Sequence, residues 1–94
     1  MDAHQVNFSD YHLGINDKRV RILVFEMGME GYGIYISLID FLLGSDNRKL
    51  PFSLLPFLSK ILPCQLEKLE KVIRTYELFD LDGDSFSLLN YKPL

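Results

Sequence analysis

The sequence predicts a small, mainly helical α+β domain, and three observations carry that prediction. Apolar residues recur at helical spacing through residues 17–44 and again through 54–76. Residues 79–88 instead alternate apolar with polar around Gly83, the pattern of a β-hairpin. The length of 94 residues allows one modest core and is too short for a cleft between two domains.

Composition narrows the class. With 48% hydrophobic and 24% charged residues the chain reads as globular. The polar start, MDAHQVNFSD, has no basic segment followed by an apolar stretch, so no secretory signal is read there. Cys64 is the lone cysteine, which excludes an intramolecular disulfide and fits a reducing compartment; a cytoplasmic protein is expected. The longest nearly apolar run, 34–43, contains Ser37 and Asp40 and is about half the roughly 20 residues of a membrane span. It is read as a core helix, with no membrane partner.

The elements follow in order. Residues 1–16 are expected to form an irregular arm. Asn16 and Asp17 are good N-cap residues, and Val20, Leu23, Val24 and Met27 follow at helical spacing, which predicts a first helix over 17–27. Gly28 is placed to end it in a left-handed conformation. A second helix over 31–44 is apolar except for Gly33, Ser37, Asp40 and Gly44, so it is expected to be buried on nearly every side, at the centre of the domain or at a partner interface. After a polar loop a short strand is expected around Leu50. Ser53 can then cap a third helix over 54–62, with Pro56 in its first turn, where the missing N–H costs little. Pro63 disfavours helix at Leu62 and forces a turn. A fourth helix over 64–76 places Leu66, Leu69, Val72, Ile73 and Tyr76 on one face. The order helix, helix, strand, helix, turn, helix, hairpin is that of a winged helix-turn-helix with about four helices and a hairpin wing.

Several stretches resemble chemistry and fail on spacing. MGMEGYGIY holds Gly28, Gly31 and Gly33, which is neither G-x-G-x-x-G nor a Walker pattern, and it follows a helical segment where a phosphate loop follows a strand. Its cheaper reading is a corner, with Gly28 capping, Gly31 freeing the turn and Gly33 with Ser37 admitting a neighbouring helix. In DLDGDS, counted from Asp80, the EF-hand positions for glycine and glutamate hold Ser85 and Tyr91. His4 and His12 have only Asp2 and Asp10 nearby, too few ligands for a metal site. Cys64 has no nucleophile signature. No catalytic residue, metal or cofactor is assigned, no small-molecule substrate is expected, and the chain is read as a non-enzyme.

The remaining candidate is the fourth helix. Residues 60–76 carry Lys60, Lys68, Lys71 and Arg74 against Glu67 and Glu70, a local basic excess in a chain of net charge -3. This favours a DNA recognition helix: Lys60, Lys68, Lys71 and Arg74 would contact phosphates, and Gln65, near the helix start, would read a base edge. On that reading Lys68→Ala with Lys71→Ala abolishes binding at moderate ionic strength. Two features oppose it. Glu67 with Lys71 and Glu70 with Arg74 are i,i+4 pairs that stabilise any solvated helix, leaving only Lys60 and Lys68 without an obvious acidic partner. Asp80, Asp82 and Asp84 would make an acidic wing that repels phosphate. Lys18, Arg19, Arg21, Arg48 and Lys49 could form a separate basic patch. The alternative is a protein-interaction or self-association module of the same fold, using the apolar second helix or the hairpin edge.

The residues Phe8, NDKRVRIL, MGMEGYGIYISLIDFLL, the loop into LPF and ELFDLDGDSFSL together resemble the N-terminal domain of phage-type and bacterial DnaD-like replication proteins. Asp17, Gly28, Gly31, Tyr32, Gly33, Ile34 and Tyr35 match the central motif of that family, and Leu78 and Phe79 match its later one, over about residues 8–90. Met27 stands where the family often has tyrosine, Glu77 where glycine is common, and Asp10 and Tyr11 do not reproduce its His-Asp pair. The resemblance implies a winged-helix fold and a place in replication initiation or replisome organisation, with DNA or replication proteins as partners. It transfers no catalytic residue. A chain ending just past its last strand is expected to be the N-terminal part of a longer protein.

Overall fold

The structure, a computed structural model, describes residues 13–89. Most of the expected N-terminal arm, with His4 and His12, lies outside the described residues. The element order is α1 (Lys18–Leu43), β1 (Lys49–Pro51), α2 (Leu55–Ile61), α3 (Leu66–Thr75), β2 (Phe79–Asp82) and β3 (Ser85–Leu88), with short 3-10 turns at Asp46–Arg48 and Phe52–Leu54.

The first two expected helices meet at a kink at Gly28, the residue expected to end the first of them. α1 is 26 residues long and is interrupted only at Gly28, whose φ of 68° and ψ of -164° belong to backbone that glycine alone adopts without strain. The positive φ is the one expected there, but ψ departs from a left-handed helical cap, so the corner is a kink at Gly28 from which the chain re-enters helix with no intervening loop. The kink draws the two segments together. A Cβ on Gly31 would lie 2.6 Å from the Cβ of Met27 and 3.1 Å from Cδ1 of Leu23, so Gly31 permits the bend. Gly33 and Ser37 face the 62–64 turn across an open pocket, and a Cβ on Gly33 would meet nothing within 4 Å, so glycine is not needed there for a close approach. The start of α1 matches expectation: Asp17 Oδ1 accepts from the Arg19 N–H at 2.8 Å.

α1 is long and apolar enough to cross a membrane by length and composition, which the shorter run 34–43 is not. Its second segment nevertheless forms the centre of a compact globule. Ile34, Tyr35, Leu38, Ile39 and Leu42 are buried against Leu69, Val72 and Ile73 of α3, Leu55 and Leu58 of α2, and Leu50, Phe79, Phe86 and Leu88 of the sheet. Phe79 meets Tyr35 and Phe86 edge-on, with ring centroids 5.7 and 5.9 Å apart.

The sheet is antiparallel with strand order β1-β3-β2. Asp82 pairs with Ser85 across a two-residue turn that begins at Gly83 with φ 58°, as a primed hairpin turn requires. Leu50 pairs with Phe86, and Phe86 with Leu81, so these side chains share one face, on which Leu50 and Phe86 are buried and Leu81 is 48% exposed, while Lys49, Ser87 and Asp80 share the other.

The third helix starts later than expected and without its predicted cap. Ser53 makes no capping bond and lies in the 3-10 turn, because Phe52 is tied to the hairpin by its N–H to the Asp84 carbonyl at 2.7 Å and by its ring against Phe86. Pro56 does occupy the first turn of α2. The chain then turns at 62–65 into α3, whose N-cap is Gln65.

Candidate nucleic-acid interface

α3 is strongly amphipathic. Leu69, Val72 and Ile73 are buried, which turns Glu67, Lys71, Arg74 and Thr75 to solvent. Gln65 is exposed at the N-terminal end of the helix and makes no capping bond, so its side-chain amide is available to a ligand.

The basic side chains do not form one surface. Lys68 lies on the flank toward α1, and its Nζ meets Glu30 Oε1 at 2.8 Å. That pairing overturns the expectation that Lys68 has no acidic partner: the sequence neighbours offer none, but the kinked α1 brings Glu30 alongside. Lys71 lines the same notch together with Glu26, Met27, Glu30 and Lys68. The expected Glu67–Lys71 ion pair is not formed among the described residues, whereas Arg74 pairs with Glu70 at 3.6 Å. The guanidinium of Arg74 also sits over the Phe52 ring, 4.0 Å from its centroid, which fixes its direction while leaving it exposed. Lys60 is exposed in the last turn of α2 and has no ion pair among the described residues. Three cations therefore remain accessible: Lys60, Lys71 and Arg74.

The second basic group is dispersed. Arg19 pairs with Asp17 at 3.1 Å and donates to the Glu77 carbonyl, and Arg21 donates to the Ile15 carbonyl. Lys49 pairs with Asp82 at 3.0 Å across the sheet, which removes one cation from any patch and one anion from the hairpin. The side-chain hydrogen bond from Arg19 holds the Asp17 carboxyl below its ordinary range, as expected of a helix cap that stays charged.

The other sequence candidates are placed plainly. Gly28 lies at the kink between two helical segments, with no strand leading into it, so the glycine-rich stretch does not have the geometry of a phosphate loop. DLDGDS is the hairpin. Cys64 is half-buried beside Glu30, Gly33, Ser37 and Pro63, and desolvation pushes its thiol up, away from thiolate reactivity. Among the described residues no group of acidic, histidine and cysteine side chains could hold a metal ion.

Tyr76, expected on the core face of the fourth helix, is buried at the end of α3, and missing from the sequence reading was its partner: its hydroxyl donates to Glu26 Oε1 at 2.7 Å. Desolvation first, and then that carboxylate, push its phenol up to about 12. Glu26 and Glu30 thus clamp α3 from either side of Gly28. Comparison with protein-family models, curated proteins and solved structures returns no match.

Proposed function

We propose that the domain is a winged helix-turn-helix that binds DNA through α3, as part of a cytoplasmic protein acting in replication initiation or replisome organisation. One observation carries the DNA-binding part. The strand order β1-β3-β2 sets the strand between α1 and α2 beside a C-terminal hairpin, and the α2–turn–α3 unit leaves the outer face of α3 uncovered. In such a unit the start of the second helix approaches base edges while flanking cations hold phosphates. Gln65 is the base-edge contact, and Lys60, Lys71 and Arg74 are the phosphate contacts. Lys68 joins them only when it leaves Glu30. The hairpin exposes Asp80, Asp82 and Asp84, which repel phosphate, so this reading requires the DNA to contact α3 without lying along the hairpin. The replication setting rests on the resemblance of the central and later motifs to DnaD-like proteins.

Fluorescence anisotropy with a mixed-sequence duplex tests the reading. The wild-type chain raises the anisotropy, and Lys71→Ala with Arg74→Ala removes most of the affinity while the fold is retained. Binding unchanged in that double variant would defeat the assignment.

A second reading, the interaction or self-association module, is favoured by one observation: Phe25, on α1, is 90% exposed.

A further inference from the structure

The first segment of α1, from Lys18 to the kink at Gly28, carries two stripes at complementary helical positions. Val20, Leu23, Val24 and Met27 recur at i, i+3, i+4 and i+7 and are buried or half-buried against the core. Lys18, Arg21, Ile22 and Phe25 recur at the same spacing on the opposite face and are all exposed, Ile22 by 43% and Phe25 by 90%. Both stripes lie ahead of Gly28, so a single unbroken helical segment sets the outer face.

That face is basic at one end and apolar at the other. Neither Lys18 nor Arg21 has an ion pair among the described residues, and the hydrogen bond from Arg21 Nε to the Ile15 carbonyl at 3.0 Å leaves the ends of the guanidinium for a carboxylate. The cations also stand where a helix favours anions: after the Asp17 cap the first turn of α1 holds no acidic residue, and the positive end of the helix dipole meets like charge. Their placement does nothing for the helix, and Phe25 does nothing for the core.

We propose that this face docks a short segment of a partner protein that combines acidic residues with an apolar anchor, its carboxylates on Lys18 and Arg21 and its apolar side chain against Phe25 and Ile22. Charge complementarity selects that occupant. In a chain of net charge -3 the face holds two cations and no acid, so an arriving carboxylate meets both the cations and the helix dipole. A second copy of the face has no carboxylate to give, and Glu26, one turn on from Ile22, already accepts from Tyr76. Lys18 and Phe25 lie about 10 Å apart along the axis, which fits an acid and an apolar residue two turns apart on a partner helix or about three residues apart on an extended one. The contact is small, with micromolar or poorer affinity. It goes beyond the DNA reading and does not depend on it.

Selection of a displayed random-peptide library on the purified chain, followed by anisotropy titration of the enriched peptides, tests the proposal. Enriched sequences are expected to combine acidic residues with an apolar one. Phe25→Ala, at a site exposed enough not to disturb folding, raises their dissociation constant at least about tenfold. Lys18→Glu with Arg21→Glu does the same while the fold is retained, since acids suit the start of a helix; circular dichroism verifies each variant. Lys71→Ala with Arg74→Ala, on α3, leaves peptide binding unchanged, which separates this face from the proposed DNA surface. Enrichment of sequences without acids, or peptides indifferent to the α1 substitutions, would overturn it. So would loss of duplex DNA binding in Lys18→Glu with Arg21→Glu, which would give the face to nucleic acid, or a concentration-dependent dimer abolished by Phe25→Ala, which would give it to a second copy.

Discussion

Substituting Gly28 by alanine isolates the cost of the α1 kink. A Cβ at Gly28 would meet no atom within 4 Å, so any loss comes from the backbone and not from a clash. At φ 68° and ψ -164° an L-residue is strained by about 1–3 kcal/mol. The reduced freedom of the unfolded chain returns about 0.4–1 kcal/mol. The net is a destabilisation of about 1–2 kcal/mol, a large share of the roughly 5–15 kcal/mol that holds a domain of this kind folded. Urea unfolding reads it directly, and thermal melting should fall by about 4–16 °C. Gly33→Ala is the internal control, since Gly33 is helical, exposed and uncrowded, and alanine there should stabilise by about 0.5–1 kcal/mol. If Gly28→Ala stabilises as Gly33→Ala does, the kink is not required by the fold and the placement of Glu26 and Glu30 around it loses its basis.

Three further outcomes are expected. Glu77 has φ 56°, so Glu77→Gly should stabilise by about 0.5–1 kcal/mol in the same urea assay, because the backbone carbonyl that accepts from Arg19 is retained. Tyr76, raised to about 12, stays neutral in the folded chain while unfolded phenols ionise near 10. Its stabilising effect is complete below about pH 10 and is lost as pH rises toward about 12, with Tyr35, raised by burial, adding to the loss. Urea midpoints across that window should fall, and should fall less in Tyr76→Phe; flat midpoints would refute the assignment. Glu30→Gln frees Lys68 and should tighten duplex DNA binding about two- to fivefold, the range set by an exposed ion pair, whereas unchanged or weaker binding would remove Lys68 from the interface.

Much of the architecture was legible because period separates helix from strand. The buried Leu69, Val72, Ile73 and Tyr76 and the Gly83 hairpin follow from spacing alone, and so does the cap at Asp17, whereas Leu66, expected on the same face, is 38% exposed. The break in α1 at Gly28 was legible, and the lack of a loop after it was not: a positive φ serves a helix stop and a kink equally, and only ψ distinguishes them. Glu77 was noticeable only as a place where the resembled family pattern has glycine, and its φ of 56° is backbone that glycine adopts more readily than glutamate. The candidate interface was legible as residue types and not as pairings. Lys68 meets Glu30 from 38 positions away, and Arg74 is steered by Phe52 from a different element, contacts that no local window contains. Ser53 misled for a related reason, since the tie between Phe52 and Asp84 overrides local capping preference.

The central proposal is that DNA is held by Lys71 and Arg74 of α3 with Lys60 of α2, and the salt dependence of duplex binding measures it most directly. Three phosphate contacts predict a slope of log affinity against log salt of about -2.7, falling toward about -1 in Lys71→Ala with Arg74→Ala. No detectable duplex binding at low salt, or a slope unchanged by that double substitution, would contradict it.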